Sequence, residues 1–400
     1  MKVRNLTLFL LSVIIVTPAA AQSDSLYAYL DSIENTWYAS HYLTVDYECL
    51  NSSQAPSFPD SVYQQRLQSL PTVIEMPYNA EVRAVIDLYT QRSRKGTSLI
   101  LGLFPLYEDI FVEALRKYDL PVELKYLPII ESGLRPKAAS RMGAAGMWQF
   151  IYTTGRKYDL SVNSLIDDRF DVRKATDAAA RHFRDLYDIY HDWDLAISAY
   201  NCGSGNINKA ITRSGSTDFW KIYQYLPSET RSYLPSFIAI NYVMEFYREH
   251  GICPAEASIS PATDTLHITR NLHFGQIEEL CGISEEELVA YNPQYLGKVI
   301  PGAYRECVLT LPTRYIVPLV EAGDSLYLHD SAKFFPESKT KLVADEMLSR
   351  RTYITHKIRN GETLSTIAAR YHTTVKNIKA WNNMSSDRIR AGKTLKIYNR

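Results

Sequence analysis

The 400 residues carry 44 Lys and Arg against 44 Asp and Glu, a formal net charge of zero. A neutral chain has no overall field to draw in nucleic acid or acidic lipid, so any binding must come from local sites. Hydrophobic residues at 46% and charged residues at 22% exclude wholesale disorder, and the length fits roughly two to four domains.

The N-terminus reads as an address. Lys2 and Arg4 precede the apolar run Leu6–Val16, followed by Thr17, Pro18 and three alanines ending at Ala21. A basic start, a short apolar core and small residues describe a secretory signal peptide over 1–21. The run is too short for a membrane span of about 20 residues, and no later stretch is apolar enough to anchor the chain. The expectation is therefore an exported, periplasmic and wall-associated protein without a stable membrane span after cleavage. The five cysteines are Cys49, Cys202, Cys253, Cys281 and Cys307. An odd number leaves at least one unpaired in a monomer. Cys281 and Cys307 could bridge within one small module, although spacing alone leaves the pairing open.

Residues 22–95 form an N-terminal helical region broken at Ala55–Asp60 and expected to pack on the domain over 96–250. Helical spacing recurs over Leu103–Tyr118, Ala175–Tyr190, Leu195–Tyr200 and Tyr233–His250, with Gly133 and Gly251 as helix stops. Almost nothing in 96–250 alternates with period two, which predicts a mostly α domain. The pattern then changes. Over 263–312 it reads strand, two short helices, strand, and over 352–398 the same order repeats. The charged stretch 314–351 lacks strong periodicity and reads as a linker. The fold class is mainly α, α+β overall.

Glu131 follows Ile129 and Ile130 near a predicted helix end. A carboxyl held against apolar surface has a raised pKa and can serve as a general acid. Taken by itself, that segment favours a partly exposed, inert glutamate at a helix end. Three segments in order change the weighting: Glu131-Ser132-Gly133, then Gly146-Met147-Trp148-Gln149-Phe150, then Ala199-Tyr200-Asn201-Cys202-Gly203. This combination resembles the lytic transglycosylase family, and Leu226–Pro235 resembles its membrane-bound murein transglycosylase D branch. The resemblance implies a lysozyme-like helical domain over 96–250 and a peptidoglycan glycan strand as partner.

Carried across, it makes Glu131 the catalytic acid and base, with Ser132 beside it positioning the substrate or the carboxyl. Met147, Gln149, Tyr200, Asn201 and Tyr233 would line the substrate cleft, while Trp148 reads as core and Glu229 as structural, paired with Arg231. Gly203 and Gly205 would serve a tight turn. One carboxylate suffices for such an enzyme because the sugar's own C6 hydroxyl attacks C1, a tethered nucleophile in place of water. The product would carry a 1,6-anhydro-N-acetylmuramic acid end. A hydrolytic muramidase or chitinase-type enzyme would need a second carboxylate, for which Asp167, Asp168 and Asp171 are available. A non-catalytic wall-binding scaffold is the third reading.

The segment from Thr355 through Asn360, Gly361, Glu362, Thr363 and Leu364 to Gly392 and Ile397 resembles a LysM module, a βααβ fold that binds N-acetylglucosamine-containing glycans. The resemblance assigns glycan contact to Gly361, Glu362, Thr363 and Leu364, although Thr363 is equally placed to cap a helix. Residues 263–312 match that frame only partly, as a degenerate copy. The nine histidines show no metal-ligand spacing, and most read as surface or capping groups. No metal and no cofactor is implied.

Overall fold

The computed structural model describes residues 39, 43–52, 55–257, 262–348, 353–371, 373–382, 384 and 386–398. The expected signal peptide at 1–21 lies outside them. Among the described residues no helix is long and apolar enough to cross a membrane. The chain divides into two compact units: one of Met1–Leu266, Cys281–Lys298 and Leu309–Glu321, the other of His267–Leu280, Val299–Val308 and Ala322–Arg400.

The first unit is helical. Its principal helices are α1 (Tyr47–Ser52), α2 (Asp60–Ser69), α3 (Ala80–Asp87), α4 (Arg94–Leu103), α5 (Glu108–Lys117), α6 (Leu127–Ser132), α7 (Tyr152–Lys157), α8 (Val172–Tyr190), α9 (Trp193–Cys202), α10 (Ser204–Ser214), α11 (Phe219–Ile222) and α12 (Ser228–Phe246). Side-chain caps fix several starts: Asn79 accepts from Val82 N, Asp171 from Lys174 N and Asp192 from Leu195 N. Every residue of α12 from Tyr233 to Val243 is buried. A helix apolar all round belongs at the centre of a core, and α12 begins five residues before the expected Tyr233.

The N-terminal region is part of that core. Tyr63 and Leu67 of α2 and Val82 and Ile86 of α3 share one buried cluster with Phe183 and Phe237. The buried Glu123 accepts from the Val73 and Ile74 amides at 2.7 and 2.8 Å, and Arg66 donates to the Tyr242 hydroxyl at 2.9 Å. At the unit's edge, β1 (Leu43–Thr44) pairs antiparallel with β2 (Glu256–Ala257). Beside that ladder Cys49 and Cys253 form a disulfide spanning 204 residues. Cys202, Cys281 and Cys307 stand outside any disulfide, so the bridge considered between Cys281 and Cys307 is replaced by a long-range one. Gly205 also departs from expectation: it sits inside α10, and only Gly203 takes a positive φ, +81°.

The segment 291–297 lies against the same unit. Asp167 N donates to Gln294 O at 3.0 Å and Leu296 N to Leu165 O at 2.8 Å. In the second unit Asn271–His273 pairs antiparallel with Val299–Pro301, and Phe274–Cys281 follows as a helix. The expected linker at 314–351 is instead helical at Ile316–Ala322, Ser325–Leu328, Ser331–Phe334 and Glu337–Leu348. Among the described side chains each of these helices buries one apolar anchor, Leu319, Leu326, Phe334 and Val343 in turn, too sparse a pattern to register as periodicity. Phe334 stacks on the His273 ring with centroids 5.0 Å apart, and Gln276 donates to His329 O at 2.8 Å.

The C-terminal βααβ repeat has strands Tyr353–Lys357 and Thr394–Tyr398, paired antiparallel, and helices Leu364–Arg370 and Val375–Trp381. Leu364, Ile367, Ile378, Leu395 and Ile397 form its core.

Candidate active site

A cleft of about 1290 Å³ crosses the helical unit. Glu131 lies in its wall one residue before the end of α6, where Gly133 closes the helix in the left-handed conformation at φ 58°. That cap holds the chain tightly enough for Glu131 to face the cleft while Ile129 and Ser132 stay buried. Burial pushes the Glu131 carboxyl up to about 7, and the nearby Glu229 charge pushes the same way. The Tyr233 hydroxyl donates to Glu131 Oε1 and acts in the opposite direction by stabilising the carboxylate. Burial wins, so the carboxyl carries a proton for a substantial fraction of the time near neutrality.

The opposite helix supplies a second row. Glu229, Ser232, Tyr233 and Ser236 all line the cleft, and their spacing of three and four residues puts them on one face of α12. Glu229 therefore faces the site, and among the described residues no ion pair joins it to Arg231. The expected structural pairing is absent.

The loop 138–150 supplies a third side. Gly146 takes φ +85°, and a Cβ there would lie 1.7 Å from Arg169 O. Gln149 is held at φ +48°, a region uncommon for non-glycine residues, with its amide donating to Gly146 O at 2.8 Å. Arg169 ties the loop down by donating to Gly143 O at 2.8 Å and Phe150 O at 3.1 Å.

Tyr200 and Asn201 line the cleft from the end of α9. The Tyr200 hydroxyl donates to Trp148 O at 2.8 Å, and its ring stacks on Phe183 at 4.4 Å. Asn201 Oδ1 accepts from the Thr230 hydroxyl at 2.9 Å. Trp148 is buried and donates to Thr176 at 2.9 Å, as its core assignment requires.

Ser132 and Met147 do not reach the cleft. Both are 0% exposed; the Ser132 hydroxyl donates to Pro128 O at 3.1 Å and lies 3.7 Å from Met147 Sδ. They pack the α6 end against the loop behind Glu131, which corrects their reading as substrate contacts. The three aspartates considered as a second carboxylate are also committed elsewhere. Asp167 pairs with Arg169 at 2.7 Å, Asp168 with Lys174 at 3.0 Å, and Asp171 caps α8. The other carboxyls lining the cleft are those of Glu81 and Glu229, both on exposed residues.

Two contributors were not legible in the sequence. Glu81, Ala84, Val85 and Leu88 make one cleft wall from α3 and the turn after it, outside the 96–250 segment. His182, which nothing in the sequence reading singled out, is half-buried on the cleft. It occupies the apolar stripe of α8 with Ala178 and Leu186, which is the pattern that could have singled it out.

In the C-terminal repeat, Gly361 takes φ +83°. Glu362 accepts from Arg359 N at 2.9 Å and His356 Nε2 at 2.7 Å, and pairs with Arg370. The Arg359 amide, then His356 and Arg370, hold its carboxyl down at about 2. Both of its oxygens are thus engaged within the fold. Thr363 caps the following helix in a capping box with Thr366. Leu364 is 3% exposed in the core, so it is corrected from glycan contact to packing. A groove of about 850 Å³ opens beside Arg359, Asn360, Tyr371, Ala391 and Gly392 instead.

For a metal, Glu279, His329 and Asp330 bring ligand atoms within 4.8 Å of one another, yet Glu279 already pairs with His329 at 2.7 Å and with Lys333. Asp46, Cys49 and Cys253 also approach, but both thiols are spent in the disulfide.

A helical unit with a protonatable glutamate in a cleft, followed by a C-terminal βααβ repeat, defines the class. Residues 109–223 match the transglycosylase SLT domain, 262–327 the LysM-like domain of lytic transglycosylase MltD, and 356–397 the LysM domain. The chain thus carries an SLT transglycosylase domain and LysM-type domains. It is 33% identical over 288 residues to membrane-bound lytic murein transglycosylase D of Escherichia coli K12, covering 70% of this chain and 61% of that protein. It therefore spans about three fifths of that relative's length. The cell wall-binding protein YocH of Bacillus subtilis is 39% identical over 92 residues, covering 20% of this chain and 32% of its own. The 70 kDa soluble lytic transglycosylase of Escherichia coli superposes with a TM-score of 0.35 at 18% identity, over 58% of this chain and 35% of that one.

Proposed function

We propose that this protein is an exported peptidoglycan lytic transglycosylase that cleaves the β-1,4 bond from N-acetylmuramic acid to N-acetylglucosamine and leaves 1,6-anhydro ends. The observation that carries the proposal is Glu131: a carboxyl with its pKa near 7, in a cleft of about 1290 Å³, inside the segment matched by the SLT family. Glu131 protonates the bridging oxygen as the glycosidic bond breaks. The resulting carboxylate then takes the proton from the C6 hydroxyl as that oxygen bonds to C1. The proton count closes, and no water is consumed.

Tyr233 steadies the carboxylate formed midway. Gln149, Tyr200 and Asn201 shape the cleft around the sugars. The C-terminal repeat holds the enzyme on the polymer and raises the local substrate concentration, using the Gly361 turn and the groove at Asn360 and Gly392. Periplasmic residence follows from the N-terminal signal pattern and from the substrate. The exposed Glu81 and Glu229 favour one alternative, hydrolysis with a rim carboxylate activating water.

Mass spectrometry of fragments released from purified sacculi tests the assignment. Anhydro ends, lighter than reducing ends by one water and absent with Glu131→Gln, are expected. Reducing ends would move the assignment to a hydrolase, and undiminished cleavage by Glu131→Gln would reject the acid.

A further inference from the structure

Among the groups on the cleft, His182 has no part in the proton transfers assigned to Glu131. Its ring lies 5.3 Å from that of Tyr200, 5.1 Å from Tyr158 and 6.4 Å from Phe150. The hydrogen bonds around Tyr158 decide which imidazole nitrogen carries the proton. The Tyr158 hydroxyl has one proton, and Asp185 Oδ2 stands 2.7 Å away. An ionised carboxylate cannot donate, and two bare acceptors at that distance repel, so the proton points to Asp185. Lys157 Nζ donates to both, at 3.0 Å to the phenol oxygen and 2.8 Å to Asp185.

The phenol oxygen can then only accept from His182 Nδ1, 2.9 Å away. His182 is therefore the Nδ1–H tautomer, and Nε2 is a bare acceptor. Burial and the Lys157 charge keep the ring neutral, with a pKa lowered to about 4. Among the described residues no donor reaches Nε2, and His182 lines the same cleft as Glu131.

We propose that His182 Nε2 accepts a hydrogen bond from a hydroxyl or acetamido N–H of an amino sugar bound beside Glu131, and so determines part of the substrate specificity. The inference rests on the glycan reading of the cleft. Lys157, Asp185 and Tyr158 are positioning residues: they lock the tautomer and aim the acceptor. A ring locked in this way discriminates, because a sugar without a donor at that point leaves a desolvated acceptor unpaired.

The test uses the chain lacking only residues 1–21 and a soluble tetrasaccharide of alternating N-acetylglucosamine and N-acetylmuramic acid. With imidazole-15N-labelled Glu131→Gln protein, the His182 Nε2 resonance is expected to move on glycan addition while its Nδ1–H signal persists. In turnover, His182→Asn keeps a donor for Tyr158 but has no atom at the Nε2 position. Its KM for the tetrasaccharide is expected to rise about three- to tenfold, the value of one neutral hydrogen bond. His182→Gln places an amide oxygen near that position and is expected to recover most of the loss. A strand bearing O-acetyl groups in place of the acetamido groups, which removes that N–H, assigns the donor: the shift survives if it is a hydroxyl. An unmoved Nε2 resonance at saturation, or wild-type KM in His182→Asn, overturns the proposal. A parent protein inert towards both tetrasaccharide and sacculi overturns the glycan reading itself.

Discussion

The Tyr233 hydroxyl, from α12, donates to the Glu131 carboxylate, from α6, and so joins two segments 102 residues apart at the wall of the cleft. The bond opposes burial: it favours the charged carboxylate while the surrounding protein favours the neutral acid. Tyr233→Phe removes the favourable term for the charged form. The Glu131 pKa is expected to rise by about one unit, moving the alkaline limb of the pH–rate profile upward while turnover falls. A profile that keeps its position would show that Tyr233 only packs the site.

Burial of Glu131 also costs stability at higher pH. Its folded pKa of about 7 lies above the unfolded value near 4.5. The folded state thus binds the proton more tightly, and stability is lost as pH rises from about 4.5 through 7. Glu131→Gln keeps an acceptor for Tyr233 and cannot ionise. It should stabilise the chain by about 2–3 kcal/mol at pH 8 and by little below pH 4.5. Chemical denaturation at the two pH values measures the difference, and equal effects at both would contradict the raised pKa.

Gly146 permits the loop 138–150 to lie on Arg169. Gly146→Ala meets Arg169 O at 1.7 Å and a φ of +85°, so the loop must move. A loss of about 2–4 kcal/mol is expected, together with reduced turnover because Gln149 hangs on the Gly146 carbonyl. Denaturant midpoints and sacculus digestion report the two effects separately.

The Cys49–Cys253 bridge closes a ring of 204 residues around the helical unit. Restricting so long a loop in the unfolded chain should make the paired Cys→Ser variant less stable by about 2–5 kcal/mol. The three cysteines outside the disulfide predict that titration of the unfolded, unreduced protein finds three reactive groups, and that reductant raises the number to five.

Local sequence determined a good deal of this protein. The order of Glu131, Gln149 and Tyr200 located the cleft, and periodicity gave α5, α8, α9 and α12, while α7, α10 and α11 were not anticipated. The βααβ order of 353–398 emerged with its element boundaries nearly in place, because caps, glycine stops and alternation act within a few residues. Tertiary structure decided the rest. Motif membership put Ser132, Met147 and Leu364 beside a substrate, yet packing turned all three inward. The wall built by α3, the disulfide across 204 residues and the tautomer of His182 each depend on partners distant in the chain. Spacing tells which face of its own helix a residue occupies; which element stands opposite that face is set only when the core closes, and that choice determines what meets the substrate.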